Sequence, residues 1–366
     1  KTMQKLGDET RVNESEINLK IEEISRELEL IRNEYMQGLL VRTRTKWIEQ
    51  GEKPTNYFCS LEKRNYVNKN IRHLSTDGGI MRDQKEILDQ IRRYYQGLYS
   101  SRDNYLEDVN LKNLLDSHEN LDAKSWSDSQ GLDLENSLTL VDIHRSLQRM
   151  KNNKSPGPDG FTTEFFKFFW NDLKFYLWRS YLMALQTGLM SLTQRQGIIT
   201  LIPKDDKPRE FLSNWRPISL LNVSYKILSG AVAYKLKGVL SDIIHRDQRG
   251  FLPGRFIGEN TRLLYDLMYY TDEKKIPGLL LMIDFEKAFD SVSWKFIFDC
   301  LTYFGFGPNI SSLVRLLLND ISLSVTQHGH LSCFFSVGRG CRQGDPISPY
   351  LFLICAEVLA ILIRQN

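Results

Sequence analysis

This 366-residue chain has little with which to build a covalent scaffold or enter a membrane. Its five cysteines are Cys59, Cys300, Cys333, Cys341 and Cys355, an odd number with no Cys-x-x-Cys pair. That spacing excludes a disulfide framework and a thiolate zinc site, and leaves reduced, buried thiols as the expectation. No sign of charge dominates: 48 basic against 45 acidic side chains leave +3. Bulk charge therefore names no nucleic-acid partner, and a local groove must supply any positive potential. No apolar run reaches the ~20 residues of a spanning helix. The longest, Tyr350 to Ile363, is interrupted by Glu357 and reads as a core helix. No apolar leader follows Lys1. The expected location is cytoplasm and nucleus, with no membrane partner. Repeats and low-complexity tracts are also missing.

What is present is globular: 42% apolar and 25% charged residues, enough chain for two or three domains. Lys1 is not Met, and the last helical pattern reaches Asn366 without a cap, so both ends read as cuts in a longer polypeptide. Ile17, Ile21, Ile24, Leu28, Ile31 and Tyr35 form a heptad-like stripe, predicting one long helix over 13–46. Its late residues Arg42, Arg44 and Lys46 fit either contact with nucleic-acid phosphates or a solvated, dipole-matched helix end. A small hairpin is expected near 71–82, turning at Thr76-Asp77-Gly78-Gly79, then an amphipathic helix over 84–99. Residues 100–137 read as a polar surface connection.

A second unit begins near Leu138. A short helix ends in the turn-rich Asn153-Lys154-Ser155-Pro156-Gly157-Pro158-Asp159-Gly160, and an aromatic helix follows from Thr162 to about Gly188, read as core packing. Strands at 197–204 and 214–221 make a hairpin whose loop carries Lys207 and Arg209. Residues 246–262 are rich in glycine and arginine, with Arg249 and Arg255 as candidate nucleic-acid contacts. The apolar run Leu279 to Ile283 predicts a buried strand closed by Asp284. A carboxylate at the mouth of such a strand is costly unless neutralised, and a hard divalent cation would neutralise it. Lys204 and Arg216 on the hairpin could grip phosphate oxygens, Arg216 bidentately. Spacing alone reads Phe289 as core and Asp290 as a cap of the turn that follows. Gly344, after Gln343, permits close backbone approach.

The ordered set resembles the reverse transcriptase of non-LTR (LINE-type) retrotransposons. Asn152 to Gly160 resembles that family's leading finger motif. Leu201-Ile202-Pro203-Lys204 and Asn214-Trp215-Arg216-Pro217-Ile218-Ser219-Leu220 are similar to the next two, and Gln248-Arg249-Gly250-Phe251 to the insertion after them. Ile283-Asp284-Phe285-Glu286-Lys287-Ala288-Phe289-Asp290 resembles the first palm carboxylate motif, and Gly340 to Tyr350 the next. The match is dense from about Val141 onward and weaker from Lys46 to Gly79.

The resemblance implies an α+β, right-hand polymerase: a mainly helical extension over 1–137, fingers over 138–245 and a partial palm over 246–366. It implies an RNA-directed DNA polymerase working with two Mg²⁺ ions on an RNA template, a DNA primer and deoxynucleoside triphosphates. Asp284 would bind the ions, assisted by the Phe285 carbonyl. Arg216 and Lys204 would hold the triphosphate, Phe289 would gate the sugar, and Gln343 and Gly344 would face nucleotide and template. The family's Asp-Asp motif does not occur after Asp284. The expectation is a fragment inactive alone, with a non-catalytic nucleic-acid-binding remnant as the alternative; a group II intron maturase fits the Lys154–Asp159 and Glu286–Phe289 wording less well.

Overall fold

A computed structural model describes residues 70–365, apart from Asp77 and most of 101–133. The chain divides into two units, residues 1–69 and 70–366. The helix expected over 13–46, with Arg42, Arg44 and Lys46, lies outside the described residues.

The second unit is mixed α and β. Strands β1 (Leu74–Thr76) and β2 (Gly79–Met81) pair antiparallel. Helix α1 (Gln84–Tyr99) starts at Asp83, whose Oδ1 accepts from the Lys85 and Glu86 amides at 3.0 Å each. Such a cap satisfies donors the helix cannot. Ile87, Ile91, Tyr95 and Tyr99, spaced by four, form its buried face. Helix α2 (Leu140–Arg149) opens with a capping box between Thr139 and Asp142.

The expected aromatic helix is two: α3 (Thr163–Phe168) and α4 (Trp170–Thr187), broken at Phe169. It is not the core element expected. Phe166, Trp170 and Tyr181 are buried, while Phe168, Phe175 and Tyr176 are exposed. A helix buries one stripe, and here aromatic residues occupy the outer face as well. The 100–137 connection is also less superficial than expected: Leu111, Leu115 and Leu134 are buried. Glu135 accepts from the Asn309 and Ile310 amides at 2.7 and 3.2 Å, satisfying the first turn of a later helix.

After α5 (Leu192–Arg195), β3 (Gln196–Pro203) and β4 (Trp215–Leu221) form the expected hairpin, in register from Gly197 opposite Leu221 to Pro203 opposite Trp215. Trp215, Pro217, Ser219 and Leu221 alternate inward along β4. Pro217 cannot donate to a ladder, and β4 is an edge strand, where that costs nothing. Helix α6 (Val223–Ile243) is the buried spine, packed against α2. Next come α7 (Gly258–Lys274), α8 (Ala288–Ser291), α9 (Trp294–Tyr303) and α10 (Pro308–Leu318). Strand β5 (Ser322–Gln327) lies parallel to β3 and pairs with the short β6 (His330–Leu331) and β7 (Phe335–Ser336). Helix α11 (Ser348–Gln365) follows. No described helix is long and apolar enough to cross a membrane.

The strand expected before Asp284 does not form. Leu279 to Asp284 are outside any strand, and Leu279 is 93% exposed. An extended segment is a strand only when a neighbour takes its amides and carbonyls, and among the described residues none lies alongside. Helix α7, just before it, has no buried residue.

Candidate nucleotide-binding site

Five of the residues singled out from the sequence line one cavity of about 480 Å³: Lys204, Arg216, Phe289, Gln343 and Gly344. Asp284 and Phe285 are not among its lining residues. Asp284 is exposed, and Phe285 lines a separate apolar cavity, its ring 6.2 Å edge-on from Phe352.

The hairpin supplies the basic wall. Lys204 ends β3, its amide donating to the Asn214 carbonyl at 2.8 Å, and Arg216 stands opposite Ile202 on β4. Neither makes an ion pair among the described residues. The opposite wall is the Cys341–Asp345 turn, docked on the free edge of β4: the Ser219 amide donates to the Gln343 carbonyl at 2.8 Å. Gly344 makes that docking possible. Its φ is +108°, and a Cβ there would stand 2.6 Å from the Ser219 carbonyl oxygen.

Phe289 sits between aromatic neighbours, 4.9 Å from the Phe352 ring and 6.4 Å edge-on from Phe251. The Cys341 amide donates to the Phe289 carbonyl at 2.6 Å, and Gly340 to that of Val292 at 2.8 Å. The carboxylate motif and the glutamine turn are thus joined through backbone as well as rings.

Sequence reasoning missed several lining residues: Tyr94, Tyr95, Phe251, Lys287 and Asp290. Lys287 adds a third cation, its Nζ 5.0 Å from the centre of the Tyr94 ring. Asp290 is not the cap that spacing alone suggests. It is 2% exposed and accepts from Tyr99 Oη at 2.7 Å and Gln343 Nε2 at 3.3 Å. Burial pushes its carboxyl up to about 6, against the downward pull of Tyr99, Lys287 and Gln343. Below the turn, Arg342 and Asp345 form a fully buried ion pair at 2.9 Å, with the Arg342 guanidinium 4.5 Å from the Tyr225 ring centre. Asp345 is therefore neutralised inside the fold, and the cavity's accessible charge is positive.

The two arginines read as nucleic-acid contacts are engaged within the protein. Arg255 donates to the carbonyls of Ser241, Ile244, His245 and Gln248, taking the place of a C-terminal cap for α6. Arg249 pairs with Glu259 at 2.5 Å.

Among the described residues no group of three or more His, Cys, Asp or Glu side chains converges on a common point. Asp284 with the Phe285 carbonyl would supply part of a metal centre, not a complete one, so the described residues do not by themselves fit two cations.

Residues 202–366 match the family model for reverse transcriptase (RNA-dependent DNA polymerase). Residues 202–366 thus form a reverse transcriptase segment, and the similar proteins are products of transposons and retrotransposable elements. The chain is 33% identical over 331 residues to the transposon TX1 uncharacterized 149 kDa protein of Xenopus laevis, covering 90% of this chain and 25% of that protein. It is 28% identical over 225 residues to the Pol polyprotein of the type-2 retrotransposable element R2DM of Drosophila melanogaster, 61% of this chain and 20% of the relative. To the Pol polyprotein of the type-1 element R1 of Bradysia coprophila it is 25% identical over 244 residues, 63% and 23% of the two. The chain thus spans about a quarter or less of these relatives' length.

Proposed function

We propose that the complete polypeptide extends a DNA 3′ end on an RNA template, and that the cavity between the β3–β4 hairpin and the Gln343 turn receives the incoming deoxynucleoside triphosphate. One observation carries this reading: cations and planar groups from positions 204, 216, 287, 289 and 343 line a single cavity. Nucleotidyl transfer needs a charge-neutralising wall for the triphosphate and a rigid floor for sugar and base. Lys204, Arg216 and Lys287 serve as the wall. Phe289, braced by Phe352 and Phe251, serves as the floor that excludes a 2′-hydroxyl, and Gln343 with Gly344 faces base and template.

In polymerase terms, residues 138–245 are the fingers and 246–366 part of the palm, with 1–137 an extension before them. Two Mg²⁺ ions are the expected cofactors and would neutralise the triphosphate and activate the primer hydroxyl. This chain contributes Asp284 and the Phe285 carbonyl towards them. The incomplete carboxylate set favours one second reading, a nucleic-acid-binding remnant that keeps the fold without catalysis.

Arg216→Ala tests the cavity. A hydrogen bond to a charged group contributes about 1.5–3 kcal/mol, so losing the guanidinium should raise the nucleotide KM by roughly 10–100-fold. The measurement is primer extension at varied nucleotide by the complete polypeptide, with RNA affinity measured beside it. An unchanged KM would remove Arg216 from the site. Extension that never occurs, whatever the nucleotide or metal, with RNA binding intact, supports the remnant.

A further inference from the structure

Gln343 cannot orient its amide by itself. One end of that amide, Nε2, is held by Asp290 at 3.3 Å, and Asp290 is held by Tyr99 at 2.7 Å. Tyr99 lies at the end of α1, outside the 202–366 segment that matches the polymerase family. Its hydroxyl is fully buried and has no other side-chain partner among the described residues. The end of α1 is itself fixed: Arg339 Nε donates to the Leu98 carbonyl at 2.6 Å, and the Gly338 amide to that of Tyr99 at 2.8 Å. Tyr94, Tyr95 and Leu98 of the same helix line the cavity.

We infer that Tyr99 and Asp290 are positioning residues for the nucleotide cavity: through them helix α1 dictates which end of the Gln343 amide the bound nucleotide meets. The inference rests on the cavity being the nucleotide site. An ionised carboxylate only accepts hydrogen bonds, so Gln343 must give it Nε2, and Oε1 is left as an acceptor for a donor group on the ligand. Tyr99 makes the arrangement one-way. Its proton goes to Asp290 Oδ1, which leaves Oδ2 for Gln343.

Asp290→Asn separates this role from a merely structural one. The substitution keeps the shape and removes a buried charge. The new side-chain carbonyl still takes the Tyr99 proton, so the new NH₂ faces Gln343, and the glutamine amide must turn over to accept. The cavity then meets a donor where it had an acceptor. The nucleotide KM should rise about five- to tenfold, with kcat within a factor of about two. RNA affinity should stay unchanged, and the melting temperature should be equal or higher. The pH profile is the second readout. Asp290 faces Tyr95 and Tyr99 of α1, Lys287 of the preceding turn, and Cys341 and Gln343 of the glutamine turn. With a carboxyl raised to about 6, the wild-type nucleotide KM should climb as pH falls through that value, while Asp290→Asn stays flat.

Tyr99→Phe, which frees Asp290 to rotate, should shift KM in the same direction and serves should the asparagine variant fail to fold. Gln343→Ala separates the two levels of argument. If Gln343→Ala raises KM and neither Asp290→Asn nor Tyr99→Phe does, the positioning role is wrong and the cavity assignment stands. If Gln343→Ala leaves KM untouched, both are wrong. A fall in melting temperature and RNA binding in step with activity would also overturn the inference.

Discussion

Asp284→Asn should abolish primer extension by the complete polypeptide and leave its RNA affinity unchanged. The substitution keeps size and shape and removes one negative charge. If that charge holds a cation at the reacting phosphate, its loss should lower the rate by roughly 10³-fold or more, the scale on which single transition-state charge contacts are felt. The fold should not notice. Asp284 is exposed and makes no ion pair among the described residues, and substitutions at such positions usually change stability by no more than ~0.5 kcal/mol. Extension assays with filter binding on the same preparation separate the two effects. Ordinary extension by the variant would remove Asp284 from the chemistry.

The second large effect is on stability. Arg342→Met should lower the unfolding free energy by about 3–5 kcal/mol, because it strands a buried acid without its counter-charge. Arg342 and Asp345 are 2% and 4% exposed. Asp345 would keep Tyr225 Oη at 2.6 Å and the Ser229 hydroxyl as donors, but hydrogen bonds do not replace a cation in an apolar interior. Urea unfolding of this chain measures the loss. A change below about 1 kcal/mol would mean that those donors carry the site unaided. The pair underlies the Gln343 turn, whose carbonyl holds the edge of β4.

Where a single local rule sufficed, the sequence was readable. The β3–β4 hairpin follows from strict alternation on either side of a charged loop, and α1 from a four-residue stripe behind an aspartate cap. Lys204, Arg216, Phe289, Gln343 and Gly344, drawn from distant motifs, do share a cavity. The misreadings have a common cause: they depended on partners that local spacing does not name. Asp290 looked like a cap because capping logic sees three or four residues ahead, whereas its donor Tyr99 lies 191 residues back. The internal role of Arg255 was hidden in the same way: its charge is visible in sequence and the four carbonyls that take its donors are not. Leu279 to Ile283 read as a buried strand because hydrophobicity announces a wish to be covered, not the presence of a cover. The aromatic tract from Phe165 to Trp178 read as core for the same reason.

Photolabelling addresses the nucleotide site without passing through kinetics. The complete polypeptide, bound to an RNA template and DNA primer, is irradiated with a photoreactive deoxynucleoside triphosphate, and the labelled peptides are sequenced. Label should fall on the β3–β4 hairpin between Lys204 and Pro217, at Phe289, or at Gln343, and less of it with Arg216→Ala. Label concentrated elsewhere, for example in the apolar cavity beside Phe352 and Leu359, and insensitive to Arg216, would contradict the cavity as the nucleotide site.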